Sequence, residues 1–194
     1  QSKGPTMGQA ANGTPVVNIT DPNAKGVSHN KFDQFNVDKN GLIFNNSMQD
    51  GVSKIGGYTV KNAQLEHEAK AIISEVTGAQ ASYINGTMEV FGRKADVIVA
   101  NQNRISVNGA TTINAHSLTL CTGKVQMKEN SNYKLAVEKG SVSLTGQGIS
   151  TEGLSYFDIV SRSAKLEGEI AGQADVKVVA GQNDYDLSSR QHTT

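Results

Sequence analysis

Short apolar runs separated by asparagine or glycine are the feature of this sequence that most restricts its fold. From residue 88 onward, runs rich in Val, Ile and Leu lie at 88–91, 97–99, 105–107, 118–120, 142–144, 154–159, 164–166 and 176–179, with Asn or Gly in most of the connections. Both residues enter left-handed backbone conformations easily and are typical of tight turns. The pattern therefore predicts short strands joined by sharp corners.

The shortness of these strands favours one kind of all-β architecture. The 194 residues include 20 glycines and 17 asparagines, and most of the apolar runs contain only three to five residues. Strands in ordinary sheets are usually about five or six residues long. A solenoid accommodates shorter strands, because each coil of roughly 20 residues pairs with the coils above and below it. We therefore predict a parallel β-helix (β-solenoid), with an antiparallel sandwich as the alternative.

Charge and cysteine content exclude several classes of protein. Eighteen basic residues balance eighteen acidic ones, whereas a nucleic-acid-binding domain normally carries a basic excess or a basic face. No apolar run approaches the 18 residues of a membrane-spanning helix. The single cysteine, Cys121, excludes an internal disulfide bond. We expect no nucleic-acid partner.

Residues with catalytic or metal-binding chemistry are scattered along the chain. The four histidines are His29, His67, His116 and His192. The segment Glu66 to Glu68 contains His67 but has no second histidine at the helical spacing that a zinc protease requires. Asp184 and Asp186 would need further oxygen ligands to hold calcium. We expect no catalytic site, metal, cofactor or small-molecule substrate.

The segment "LEHEAKAIISEV" at 65–76 is ambiguous. Leu65, Ala69, Ile72, Ile73 and Val76 fit a helical stripe, whereas "AIISEV" also has the character of a buried strand. Periodicity alone does not decide between helix and strand here.

Five blocks of the sequence, at 13–47, 71–78, 84–109, 113–124 and 153–170, resemble a known family in the order in which that family has them. They are similar to the amino-terminal secretion domain of two-partner secretion exoproteins. This module is shared by filamentous haemagglutinins, haemolysins and contact-dependent growth inhibition toxins. The resemblance implies a right-handed parallel β-helix with an antiparallel amino-terminal cap.

The resemblance also implies a domain organisation. Residues 1–13 would be a lead-in segment, 14–187 a single β-helix domain whose cap strands occupy 14–47, and 188–194 a tail. In the cap we expect antiparallel strands over 16–47 with their large apolar side chains buried. The cap residues singled out are Val17, Ile19, Asn30, Phe35, Val37, Leu42, Phe44, Asn45 and Asn46.

Two short motifs of the family are altered in this chain. The motif Asn-Pro-Asn-Gly-Ile corresponds to Asn101, Gln102, Asn103, Arg104 and Ile105, which keeps both asparagines and the isoleucine. The motif Asn-Pro-Asn-Leu corresponds to 62–65, where Asn62 and Leu65 remain. The asparagines either shape a corner of the solenoid through bonds to nearby backbone or contact a transporter directly, and we favour the structural role. Arg104 in place of glycine requires a negative φ or local strain.

A third motif, "SYFDIVSR" at 155–162, contains too many large apolar residues for a surface loop. We assign Tyr156 and Phe157 to a strand of a late coil, with Phe157 pointing inward. Asp158 and Arg162 are candidates for a structural ion pair or for bonds to neighbouring corners.

The function implied by the resemblance is secretion targeting. The partner would be an outer-membrane transporter of the TpsB type, which recognises the module through its periplasmic POTRA domains. The module would act as a monomer, nucleate β-helix folding outside the cell, and reach the surface or surroundings of a Gram-negative bacterium. Two alternatives stay open: an adhesin segment that binds cells directly, and a polysaccharide-active β-helix enzyme. The enzyme would need Asp, Lys and Arg clustered along one sheet, whereas the acids here are scattered singly.

Overall fold

The computed structural model describes residues 4–194, so residues 1–3 of the predicted lead-in lie outside the described residues. The first strands are β1 (Thr6–Gln9), β2 (Pro15–Asn18), β3 (Val27–Phe32), β4 (Leu42–Asn46), β5 (Gly51–Ser53), β6 (Gly57–Thr59), β7 (Ala71–Val76) and β8 (Ser82–Ile84). The middle strands are β9 (Thr87–Gly92), β10 (Ala95–Asn101), β11 (Arg104–Val107), β12 (Thr111–Ile113), β13 (Ala115–Cys121), β14 (Lys124–Met127), β15 (Tyr133–Val137), β16 (Ser141–Leu144) and β17 (Ile149–Ser150). The last strands are β18 (Tyr156–Ser161), β19 (Ser163–Leu166), β20 (Ile170–Ala171), β21 (Asp175–Ala180), β22 (Asn183–Asp186) and β23 (Gln191–Thr193).

Successive coils stack in parallel and build three faces. The first face orders β2, β4, β9 and β12, the second β3, β7, β10, β13, β18 and β21, and the third β8, β11, β16 and β19. Val142 pairs with Ala164 and Phe157 pairs with Val176, so one coil is roughly 20 residues long. The prediction of an all-β parallel β-helix is confirmed.

The interior of the solenoid is filled by the inward side chains of all three faces. Ile72, Val97, Leu118 and Phe157 follow one another in a single column along the second face. Phe157 is completely buried, as predicted. Because every coil contributes residues to the same continuous core, the stability of each coil depends on its neighbours as well as on its own contacts.

Two antiparallel elements cover the outside of the solenoid. The hairpin of β5 and β6 lies on the first face, where the buried Glu89 carboxylate accepts hydrogen bonds from the backbone N–H groups of Lys54 and Ile55 (both 2.9 Å). The second face is covered by a sheet in the order β14, β15, β22 and β23, which we call the outer sheet. Between the outer sheet and the second face lies a second apolar cluster that includes Cys121 and Leu135.

The antiparallel part of the cap is smaller than predicted. The six apolar cap residues are all buried, as predicted: Val17, Ile19, Phe35, Val37, Leu42 and Phe44. The prediction that the strands over 16–47 are antiparallel is wrong, because β2 pairs in parallel with β4, and β3 with β7. The antiparallel pairing joins β1 to β2. Since "TMGQ" contains only one residue typical of strands, Thr6, β1 could not be recognised within the expected lead-in.

The ambiguous segment at 65–76 is a strand at its carboxyl end. β7 spans Ala71–Val76, and all six of its residues are buried. Ile72 points into the solenoid and Ile73 points toward the outer sheet. A parallel strand covered on both faces has a continuous apolar sequence without the alternation of a half-exposed strand. That continuity is why periodicity did not distinguish it from a helix.

Burial of Phe157 leads to a stability prediction. We expect Phe157→Ala to lower the free energy of unfolding by about 3–5 kcal/mol, because it leaves a cavity in a closed core. Val176 is the neighbour of Phe157 on β21 and is 45% exposed, so Val176→Ala is the matched control and should cost less than about 1.5 kcal/mol. Denaturant unfolding followed by circular dichroism measures both. Equal losses would contradict the inward assignment of Phe157.

Candidate functional site

The altered motif at 101–105 forms a corner between the second and third faces. Asn101 is completely buried at the end of β10. Its amide donates to the Gln80 carbonyl (3.0 Å) and to Ser82 Oγ (2.9 Å), and its Oδ1 accepts from the Asn103 backbone N–H (2.9 Å). The Asn103 amide donates to the Gly78 carbonyl (3.0 Å). Both asparagines thus tie this corner to the corner of the preceding coil.

The second altered motif uses the same local geometry. Asn62 is buried, its Oδ1 accepts from the Gln64 backbone N–H (3.0 Å), and its amide donates to the carbonyls of Ile19 (2.8 Å) and Asn45 (3.0 Å). The Gln64 amide donates to the Asn18 carbonyl (3.0 Å). Glutamine therefore occupies the place that Asn103 has in the other motif and bonds to the coil beside it in the same way. Leu65 completes the motif with a buried side chain.

The remaining residues of the 101–105 motif differ in exposure. Ile105 is buried in the solenoid, Gln102 is half-buried, and Arg104 is exposed. The Arg104 guanidinium donates to the Tyr83 hydroxyl (2.9 Å) and lies 5.7 Å from the centre of that ring. Among residues 4–194, positive φ outside glycine occurs at Asn114, Ser131 and Arg190. Arg104 thus adopts ordinary strand geometry, and the loss of glycine causes no left-handed strain there.

The three asparagines singled out in the cap are buried and bonded to other coils. Asn30 accepts from the Thr20 N–H (2.9 Å) and donates to the Ile73 carbonyl (3.2 Å). Asn45 donates to Asn18 Oδ1 (2.9 Å) on the neighbouring strand. Asn46 donates to the carbonyls of Ala69 and Arg93 (both 2.9 Å) and accepts from the Ala69 N–H (2.7 Å). The side chains of Asn30 and Asn46 thus satisfy buried backbone groups, and that of Asn45 links two neighbouring strands.

The late-coil motif forms an ion pair, but with a different partner from the one expected. Asp158 is 1% exposed on the outer side of β18, and its Oδ1 accepts from Arg190 Nη2 (2.7 Å). Arg162 is exposed, and its backbone N–H donates to Thr122 Oγ1 (3.4 Å). Of the two predicted alternatives, an ion pair between Asp158 and Arg162 does not form, because β18 points Asp158 toward the outer sheet while Arg162 lies beyond the end of the strand. The other alternative, a bond to a neighbouring corner, is found for the backbone of Arg162.

Two further carboxylates on the outer side of the second face are also engaged. Glu75, which is buried, contacts His29 Nε2 (2.8 Å). Asp96 contacts His116 Nδ1 (2.8 Å) and accepts from the Ser117 hydroxyl (2.6 Å). Within residues 4–194, no group of His, Cys, Asp and Glu side chains is arranged to hold a metal ion. No helix in this part of the chain has the length and apolar character needed to span a bilayer.

Comparison with known proteins identifies the family. The family model described as "TPS secretion domain" matches residues 1–194. The chain belongs to this family of secretion domains. Filamentous hemagglutinin of Bordetella pertussis is 48% identical over 190 residues, which are 95% of this chain and 5% of that protein. The "16S rRNA endonuclease CdiA" of Enterobacter cloacae is 42% identical over 181 residues, 91% of this chain and 5% of that protein.

A solved structure supports the same assignment. The crystal structure of the filamentous hemagglutinin secretion domain matches with a TM-score of 0.94 and 47% sequence identity, over 99% of this chain and 66% of that one. The predicted family and fold are therefore confirmed. This secretion domain spans about one twentieth of the full-length relatives, so the nuclease activity in the name of one relative describes a much longer protein.

Sequence reasoning missed the residues that hold the outer side of the second face. Tyr185 is completely buried and donates its hydroxyl hydrogen to Asp158 Oδ2 (2.7 Å). Burial raises the pKa of Tyr185, and its hydrogen bond to Asp158 raises it further. Arg190 and β23 lie in the segment expected to be a tail. The only available signal was "NDYDLSSR" at 183–190, where a large aromatic residue stands between charged ones.

The Asn101 geometry predicts a structural effect. Asn101→Ala would leave the Gln80 carbonyl and the Asn103 N–H without the bonds described above. We therefore expect this variant to lower the free energy of unfolding by about 1–3 kcal/mol. Arg104→Ala, three residues away on an exposed side chain, should cost less than about 1 kcal/mol. Thermal and denaturant unfolding of the two variants make the comparison. A stable Asn101→Ala protein would contradict the structural role.

Proposed function

We propose that this secretion domain targets a large exoprotein to an outer-membrane transporter of the TpsB type, which recognises it through periplasmic POTRA domains. The exoprotein would then reach the outside or the surface of a Gram-negative bacterium. The observation that carries this proposal is the family membership over the whole chain together with the closely similar hemagglutinin secretion domain. The domain would act as a monomer without a catalytic role of its own.

The exposed parts of the altered motif are suited to partner specificity. Arg104 and Tyr83 lie side by side on the surface of the third face, on β11 and β8. The asparagines of the same motif are turned toward the preceding corner and engaged in hydrogen bonds. We therefore assign the asparagines to folding and Arg104 to the surface that a transporter meets.

Secretion assays with matched variants test this assignment. Asn101→Ala should lower the melting temperature and the amount of secreted protein together, because its effect comes from a weakened corner. Arg104→Ala should leave the melting temperature within a few degrees of the wild-type value. The assay uses the native transporter, and cells that lack it provide the baseline. Normal stability of Asn101→Ala with abolished secretion would show that Asn101 is a recognition residue instead.

The same assay tests targeting itself. If secretion does not depend on the transporter, the proposed targeting function is wrong. Binding of the purified domain to other cells in that case would favour the adhesin alternative.

We also propose that the domain nucleates the folding of coils that follow it. Val176 and Val178 on β21 pair with the fully buried Phe157 and Ile159, yet they are 45% and 40% exposed. Leu166 on β19 is 46% exposed at the same end of the solenoid. These inward-directed side chains present an apolar cross-section with free strand edges, which a further coil would cover by the same parallel pairing.

A charge placed in this cross-section tests nucleation. Val178→Lys should change the stability of the 194-residue chain by less than about 1 kcal/mol, since the site is already partly exposed. In the full exoprotein it should leave transporter binding unchanged but reduce the protease-resistant fraction of the secreted product. Asp175→Ala, at an exposed residue of the same strand, is the control. An unchanged protease-resistant fraction in Val178→Lys would contradict nucleation at this end.

A further inference from the structure

The last strands of the chain leave the path of the solenoid. After β21 the chain turns at Gly181, whose φ of 116° lies in the left-handed region that favours glycine. β22 then pairs antiparallel with β15 in the outer sheet, and β23 pairs with β22. The outer sheet is therefore assembled from two distant parts of the sequence, with 124–137 on one side and 183–193 on the other.

The buried carboxylate of Asp158 depends on this returning segment. Its Oδ2 accepts from the Tyr185 hydroxyl (2.7 Å) and from Arg190 Nε (3.0 Å), and its Oδ1 accepts from Arg190 Nη2 (2.7 Å). All three donors belong to residues 185–190. Asp158 is 1% exposed, and a buried charge that lacks its partner is strongly destabilising.

Arg190 is held in place from several sides. Its guanidinium carbon lies 3.8 Å from the centre of the Tyr156 ring, and its carbonyl accepts from Lys177 Nζ (2.7 Å). The Arg190 backbone has a φ of 57°, an unfavourable conformation for this residue type. Arg190 is thus stacked on an aromatic ring and paired twice to a carboxylate. These contacts hold it in a backbone conformation that arginine does not favour by itself.

The turn before Arg190 is organised by a second carboxylate. Asp186 accepts from Lys128 Nζ (2.7 Å), from the Ser188 hydroxyl (2.8 Å) and from the Ser189 N–H (2.9 Å). Although burial acts to raise the pKa of Asp186, these donors lower it below its usual range. Lys128 lies just beyond β14, so this contact also connects the two parts of the outer sheet.

We propose that residues 183–190 are a latch that closes after the solenoid coils have formed and completes the outer layer of the domain. Solenoid coils pair with their sequence neighbours and fold from one to the next. The outer sheet instead requires Arg190 to return to β18 and β22 to return to β15. In a chain that emerges from a pore, β14 and β15 can cover part of the second face early, but the outer layer over Asp158 would stay incomplete until residues 183–190 are available.

The buried thiol of Cys121 reports the state of the latch. Cys121 is completely buried between the second face and the outer sheet, and burial raises its pKa to about 12. A thiol is alkylated as the thiolate and only when the reagent reaches it. In native buffer, its alkylation rate therefore follows the opening of the outer sheet.

Variants of the 194-residue chain test the latch with this reporter. Arg190→Asn removes the guanidinium while keeping a residue that tolerates positive φ. We expect the alkylation rate of Cys121 to rise at least about tenfold, as expected when a buried charge loses its partner. The double variant Asp158→Asn with Arg190→Asn removes the buried charge as well and should return the rate most of the way to the wild-type value. Arg162→Asn, on an exposed arginine of the same coil, should leave the rate unchanged.

Refolding kinetics test whether the latch closes late. A contact that is absent from the folding transition state changes unfolding and not folding. The refolding rate of Arg190→Asn, followed by far-ultraviolet circular dichroism, should therefore stay within about twofold of the wild-type rate. A wild-type alkylation rate in Arg190→Asn, a double variant as reactive as the single one, or refolding slowed in proportion to the lost stability would each overturn the proposal. These measurements need no transporter, so their outcome is independent of secretion targeting.

Discussion

Hydrogen bonding at the corners decides whether one coil of this solenoid can stack on the next. Strands within a face satisfy their backbone groups through parallel pairing, but the chain turns away from its neighbours at each corner, and buried groups without partners are costly there. The side-chain amides of Asn101, Asn62 and Asn46 fill these positions by donating to carbonyls of other coils. The asparagine content of the sequence is thus a direct consequence of coil stacking.

The second face imposes a further requirement, because both of its sides are apolar. Ile73, Ile98 and Val160 point away from the solenoid interior, and an uncovered face of this kind would promote association. The outer sheet covers it with Leu135, Val137 and Tyr185. The segments 124–137 and 183–193 therefore form one covering layer, the outer sheet, although they are far apart in the sequence.

The comparison of sequence with structure separates local signals from distant ones. The coils, their inward residues and the corner asparagines were predictable, because apolar runs and Asn or Gly connections express the coil geometry directly. β1 was not, since its residues have little strand preference. Asp158 was identified, but its partner was sought four residues away at Arg162, whereas the structure provides Arg190. Nothing in the sequence indicates that β22 returns to β15, because strand pairing between distant segments has no local pattern.

The same separation bears on the order of folding proposed for this secretion domain. Contacts between neighbouring coils require only two coils, and the coil at the carboxyl end leaves Val176 and Val178 partly exposed. In the proposed order of folding, the contacts of the outer sheet form after those between coils, because Tyr185 and Arg190 leave the pore later than the strands with which they pair. Because the partners of Asp158 lie at 185–190, the outer layer depends on a segment that follows the coils it covers. In the proposed order, an early coil can form and reopen, whereas the closed domain requires the coils and residues 183–190 together.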